Sequence, residues 1–116
     1  MSLEDQVCRL ELAKRLKELG VKQECIFFWD KDGNLMEPTD PYKNPHIDFA
    51  AFTVAELGDI LPSENLITRK RFNQKWNVWK ILASEKEKSV EFEENNLADA
   101  MAKMLIYLIT KGLVTP

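Results

Sequence analysis

The segment spanning residues 97–111 constrains this chain more than any other. Leu97, Ala98, Met101, Met104, Leu105, Leu108 and Ile109 recur at helical spacing, interrupted by Asp99, Lys103 and Tyr107 at steps of four. The pattern predicts a helix with so narrow a polar stripe that the rest of the chain must wrap around it. The Asp99–Lys103–Tyr107 row is expected to be its outer face. Asn95 or Asn96 is placed to cap its start, Asp99 suits the positive end of the dipole, and Gly112 follows its end.

The remaining elements must supply the wrapping. Residues 3–19 predict one amphipathic helix, with Cys8, Leu12, Leu16 and Leu19 on a face that Val7 and Ala13 widen. Glu11 and Arg15 fall on its wet side, Ser2 or Asp5 can cap it, and Gly20 stands where a left-handed residue ends a helix. Cys25 to Trp29 form an aromatic, strand-favouring run, and Asp32-Gly33 before Leu35-Met36 predicts a small hairpin. Residues 37–48 carry Pro38, Pro41 and Pro45, which suit neither a helix nor a central strand. Thr53 and Glu56 have capping-box spacing, Phe52 can staple onto Leu57, and Pro62 stops this short helix. Residues 66–72 and 76–82 predict two strands joined across Asn73-Gln74-Lys75, with residues 89–93 a third. Trp76, Val78 and Leu82 alternate with Trp79 and Ile81, the pattern of a central strand covered on both faces.

The expected fold is therefore a single α+β domain over residues 1–116. A small antiparallel meander, with the aromatic hairpin extending or capping it, packs on the N- and C-terminal helices. A length of 116 residues, 45% hydrophobic, suits one core and excludes wholesale disorder. One His and two Cys are too few for a zinc site built only from those ligands. Cys8 and Cys25 read as buried free thiols, which points to a reducing, cytoplasmic setting. The charged N-terminus lacks an apolar signal region, and residues 100–109, broken by Lys103, fall short of the ~20 apolar residues of a membrane span.

Few residues carry chemistry. Asp30-Lys31-Asp32-Gly33-Asn34 resembles the start of a calcium loop. Its glycine comes at the fourth position rather than the sixth, and Pro41 stands where the closing glutamate belongs, so a hairpin turn is expected. His46, with Asp48 nearby, has the makings of a general base, yet no activated nucleophile accompanies it. No enzyme activity, metal or cofactor is expected. Tyr42, His46 and Asp48 in the proline-rich segment are the expected partner surface, for an unknown protein or a second copy of the chain.

A second surface is basic. Arg69, Lys70, Arg71, Lys75 and Lys80 interleave with Phe72, Trp76 and Trp79, whereas Glu85, Glu87, Glu91, Glu93 and Glu94 follow. The net charge is −3, from 16 basic and 19 acidic residues, which argues against a dedicated nucleic-acid module. Cross-strand charge pairing between the two groups is the expected arrangement. The alternative is a weak single-stranded nucleic-acid surface formed by Arg69, Arg71, Lys75 and Trp76. The three tryptophans are expected chiefly in the core.

Two stretches carry a family resemblance. One is Pro45-His46-Ile47-Asp48-Phe49-Ala50-Ala51-Phe52-Thr53-Val54-Ala55-Glu56-Leu57-Gly58-Asp59-Ile60-Leu61-Pro62. The other is Asn96-Leu97-Ala98-Asp99-Ala100-Met101-Ala102-Lys103-Met104-Leu105-Ile106-Tyr107-Leu108-Ile109, followed by Lys111-Gly112-Leu113. The chain resembles a group of short uncharacterised proteins encoded in bacterial phages, prophages and related mobile elements. The resemblance implies the same order of proline-rich loop, short helix, meander and C-terminal helix, and it implies no activity or site residue. The expected function is a non-catalytic accessory or protein-interaction module.

Overall fold

The computed structural model describes residues 3–36, 48–62, 66–71, 73–81 and 89–116. In chain order the elements are α1 (Leu10–Glu18), β1 (Phe28–Trp29), β2 (Leu35–Met36), β3 (Phe49–Ala50), α2 (Val54–Ile60), β4 (Leu66–Lys70), β5 (Trp76–Ile81), β6 (Ser89–Glu94) and α3 (Leu97–Thr110). The fold class is α+β, as expected. The strands form two antiparallel three-stranded sheets, ordered β2-β1-β3 and β4-β5-β6. The aromatic hairpin does not join the meander. It recruits β3, which pairs Phe49 with Trp29 and Ala50 with Phe28. None of the helices among the described residues is long and apolar enough to cross a membrane.

The C-terminal helix α3 is the centre of the core. Ala98, Ala100, Met101, Ala102, Met104, Leu105 and Leu108 are buried, packed with Val7, Leu16, Phe52, Leu57 and Val78. Each large apolar side chain buried here contributes about 1.5–3 kcal/mol. The row expected to face outward does so only in part, with Lys103 and Tyr107 half-buried and Asp99 turned inward. Asp99 is only 8% exposed and accepts the Arg9 N–H at 2.7 Å. Lys103 pairs with Glu94 on β6, and Tyr107 meets Phe92 with ring centroids 5.9 Å apart. The polar stripe is a seam against β6 and the N-terminal segment, because a helix enclosed this fully satisfies its charges within the protein.

The same seam breaks the predicted N-terminal helix. Residues Leu3–Gln6 form a short 3-10 turn, and α1 begins only at Leu10. Between them Val7 bridges Thr53, the Cys8 N–H donates to Phe52 O at 3.0 Å, and Arg9 is extended. Asp5 does not cap α1, whose cap position is Arg9, and Ser2 lies outside the described residues. Local periodicity lost to these three tertiary contacts.

Other local signals hold. Thr53 and Glu56 form the reciprocal capping box of α2, and Glu56 also accepts the Ile26 N–H at 3.1 Å. Asn96 caps α3 through the Ala98 N–H at 2.8 Å. Both α1 and α3 end in paired hydrogen bonds around a left-handed glycine: Gly20 N–H to Lys17 O with Val21 N–H to Leu16 O, and Gly112 N–H to Ile109 O with Leu113 N–H to Leu108 O.

Burial pushes the Cys8 thiol up to about 12 and the half-buried Cys25 thiol up to about 11. Neither is an activated nucleophile.

The two hairpins use the same three-residue loop with different residues. Around Asp30 the loop closes by Asp30 N–H to Asn34 O and Gly33 N–H to Asp30 O; around Arg71 it closes by Arg71 N–H to Lys75 O and Gln74 N–H to Arg71 O. The third loop residue is left-handed in both, Gly33 at φ 86° and Gln74 at φ 67°. A non-glycine residue there costs about 1–2 kcal/mol, partly offset by the larger unfolded-state entropy of glycine. Gln74→Gly is therefore expected to stabilise the chain by about 0.5–1 kcal/mol, read as a rise of a few degrees in thermal midpoint.

The seam sets a pH dependence with opposing signs. Burial raises the Asp99 carboxyl above its usual range, with the charge of Glu94 adding to it and Arg9 opposing. Glu94 is also raised by burial, but Lys103 and Arg9 outweigh this and hold it below its usual range. The stability Asp99 contributes is full below its unfolded pKa and is lost as pH rises through its folded one. That of Glu94 is full above its unfolded pKa and is lost as pH falls through its folded one. Between about pH 3 and pH 7 in urea unfolding, Asp99→Asn is expected to gain stability relative to the parent. Glu94→Gln is expected to lose it, and two differences of one sign would contradict this account.

Candidate interaction surface

The meander β4-β5-β6 is built in register, with Ile67 opposite Trp79 and Trp79 opposite Glu91, and Arg69 opposite Asn77 and Asn77 opposite Glu93. Strand alternation divides these residues between two faces. Even-numbered residues, among them Val78, Phe92 and Glu94, meet α3. Odd-numbered residues, Ile67, Arg69, Asn77, Trp79, Glu91 and Glu93, lie on the face turned away from α3.

That parity separates the predicted nucleic-acid set. Arg69, with Arg71 and Lys75 continuing its face into the loop, lies opposite in facing to Trp76. Trp76 is on the even side, with the Lys70 ammonium 5.8 Å from its ring centroid. It lines a groove of about 450 Å³ together with Gln6, Thr53, Gln74, Asn95 and Leu97. Trp79, which the sequence reading did not nominate, is the aromatic that shares the Arg69 face. Of the three tryptophans, only Trp29 is in the core, where its Nε1–H donates to Cys8 O at 2.9 Å.

Sheet order keeps the β4 cations from the expected cross-strand charge pairing. The basic strand β4 and the acidic strand β6 flank β5 on opposite sides, about 9.6 Å apart, rather than lying next to each other. Among the described residues, Arg69, Arg71 and Lys75 are exposed and form no ion pair. Glu93 accepts from the Asn73 amide at 3.3 Å, and Glu94 is committed to the α3 seam. Ile67, on β4 with Arg69, is 47% exposed. The hairpin end forms an open hollow of about 690 Å³ lined by Arg69, Lys70, Arg71, Asn73 and Gln74.

Of the predicted partner surface, Tyr42 and His46 lie outside the described residues, as do Phe72, Glu85 and Glu87. Asp48 is half-buried and structural: its carbonyl accepts from Lys17 Nζ at 2.6 Å and its carboxylate from the Lys31 N–H at 3.2 Å. The Asp30 carboxylate is likewise used inside its own turn, accepting the N–H groups of Asp32 and Asn34, each at 2.9 Å. Among the described residues no group of three or more His, Cys, Asp or Glu is placed to hold a metal ion. The chain matches no family model, no curated protein and no solved structure.

Asn77 is the anomaly of this surface. It is fully buried on the central strand, and neither side-chain polar atom has a hydrogen-bond partner. Its neighbours in register, Arg69 and Glu93, and Trp79 along the strand all carry longer side chains. An unpaired buried amide costs about 1–3 kcal/mol. Asn77→Val, which removes that cost and favours a strand, is expected to raise unfolding free energy by about 1 kcal/mol in urea titration; a loss of that size would mean the amide is satisfied in solution.

Proposed function

We propose that the chain is a protein-interaction module that binds through the odd-numbered face of β4-β5-β6. A single observation carries this reading: a sheet face turned away from the core presents exposed Ile67 beside Arg69 on β4 and half-buried Trp79 on β5, with its basic and acidic residues held on opposite edge strands. Apolar and aromatic side chains ringed by charge are the composition of an interface centre with a polar rim. Arg69, Glu91 and Glu93, all exposed and none in an ion pair, favour a partner carrying both signs of charge over a uniformly anionic one. On the resemblance to phage-encoded proteins, the same proposal reads this module as an accessory protein of a mobile element, acting in the bacterial cytoplasm.

The nucleic-acid reading retains one supporting observation: among the described residues, Arg69, Arg71 and Lys75 are exposed and form no ion pair. Against it, Glu91 and Glu93 share the Arg69 face and repel a phosphate backbone. Two measurements decide. A protein captured by the intact chain, then purified and titrated, is expected to lose at least tenfold in affinity (~1.4 kcal/mol) on Trp79→Ala or Arg69→Glu, and to be unaffected by Lys22→Glu on the far side. Equal binding by all variants overturns the assignment of the face. Salt-sensitive binding of a fluorescent single-stranded oligonucleotide, lost on Arg69→Glu, would establish the other reading.

A further inference from the structure

The proposed interaction face is complementary to itself. Across the sheet the odd-numbered face runs from basic (Arg69 on β4) through apolar and neutral (Trp79 and Asn77 on β5) to acidic (Glu91 and Glu93 on β6). Two copies can meet face to face about a two-fold axis that lies between the sheets and parallel to β5. That rotation exchanges left and right margins while keeping the level along the strand. It sets β4 of each copy over β6 of the other, and β5 over β5.

The register then fixes which residues meet. Arg69 shares its level with Asn77 and Glu93, so it faces Glu93 of the second copy, and the symmetry makes this contact twice. Ile67 shares its level with Trp79 and Glu91. Trp79 therefore lies over its own copy at the axis, flanked on both sides by Ile67. The alternative axis, perpendicular to the strands, would stack β4 on β4 and place Arg69 against like charge. Charge complementarity thus selects one of the two arrangements available to a pair of stacked sheets.

Resting on the reading of this face as an interaction surface, we infer that its partner is a second copy of the chain, held by reciprocal Arg69–Glu93 contacts around a central Trp79 pair. The size of the face sets the strength. Three strands and about five residues span roughly 14 by 17 Å, which with side-chain relief buries about 400–600 Å² per copy. That is below the ~800 Å² per partner of a standard stable complex, so the dimer is a weak and reversible one. Its charged contacts are open to solvent and weaken with salt.

Charge exchange tests the arrangement without depending on whether any one variant is destabilised. Arg69→Glu with Arg71→Glu makes the face predominantly acidic, with Lys75 its remaining cation, and Glu91→Lys with Glu93→Lys makes it predominantly basic. In sedimentation equilibrium at about 100 µM and low salt, the parent chain is expected to populate a dimer. Each variant alone is expected to self-associate at least tenfold more weakly, and an equimolar mixture to form a one-to-one heterodimer. Circular dichroism shows that both variants are folded before mixing. A parent chain that stays monomeric, or a mixture no more associated than its components, overturns the self-pairing. If a separate captured protein still loses affinity on Trp79→Ala, the interaction face stands and only the identity of its partner changes.

Discussion

Enclosing α3 is the constraint on which the rest of this structure depends. A fourteen-residue helix buried along most of its length cannot leave a carboxylate and an ammonium without partners. Asp99 is met by the backbone N–H of Arg9, and Lys103 by Glu94. Those contacts tie the N-terminal segment and β6 to the same side of the helix. Arg9 bridges them, with Nη1 at 3.5 Å from Glu94 and 3.6 Å from Asp99. Breaking the chain at Val7–Arg9 before α1 follows from this. An N–H inside a continuous helix would be bonded to the preceding turn and could not be offered to Asp99.

Local chemistry was legible wherever one or two residues decide a geometry. The capping box of Thr53 and Glu56, the Asn96 cap and the glycine after each helix needed no tertiary information. Elements defined by distant pairing were not legible. Phe49–Ala50 is too short for periodicity, and it becomes β3 because β1 offers it an edge and Gln23 Oε1 accepts the Ala50 N–H at 2.8 Å. The Asp99–Lys103–Tyr107 row was visible as a stripe, but its direction was not. A polar stripe faces either water or a polar partner, and the partner here is ninety residues away in sequence.

The sheet surface teaches a different lesson, because more of it was in the sequence than a composition-based reading extracts. Alternation places Arg69, Arg71 and Lys75 on odd positions and Trp76 on an even one, so one exposed face cannot present all four. A meander likewise places its first and third strands on opposite sides of the second. Charges on β4 and β6 are then separated by a strand width on either side, and direct pairing between them is excluded by topology alone. Side-chain facing and exposure had to come from the structure, which shows Trp79 with Arg69 and places α3 on the other face.

Separation of charge across one sheet has an energetic consequence that ties the fold to its proposed use. Had Arg69 and Glu93 been neighbours, they would have offered each other about 0.2–1 kcal/mol and left a neutral surface. Held two strands apart over a buried amide, they gain little from one another and keep their full hydration within the single chain. A surface in that state has more to gain from an external charged partner than a paired one, since no Arg69–Glu93 ion pair must be broken to bind. The same reasoning limits the gain: side chains this well hydrated give up water on contact, so the Trp79–Ile67 centre must supply the net affinity. In the proposed complex the charges choose the partner and its orientation, while the apolar residues determine how long it stays.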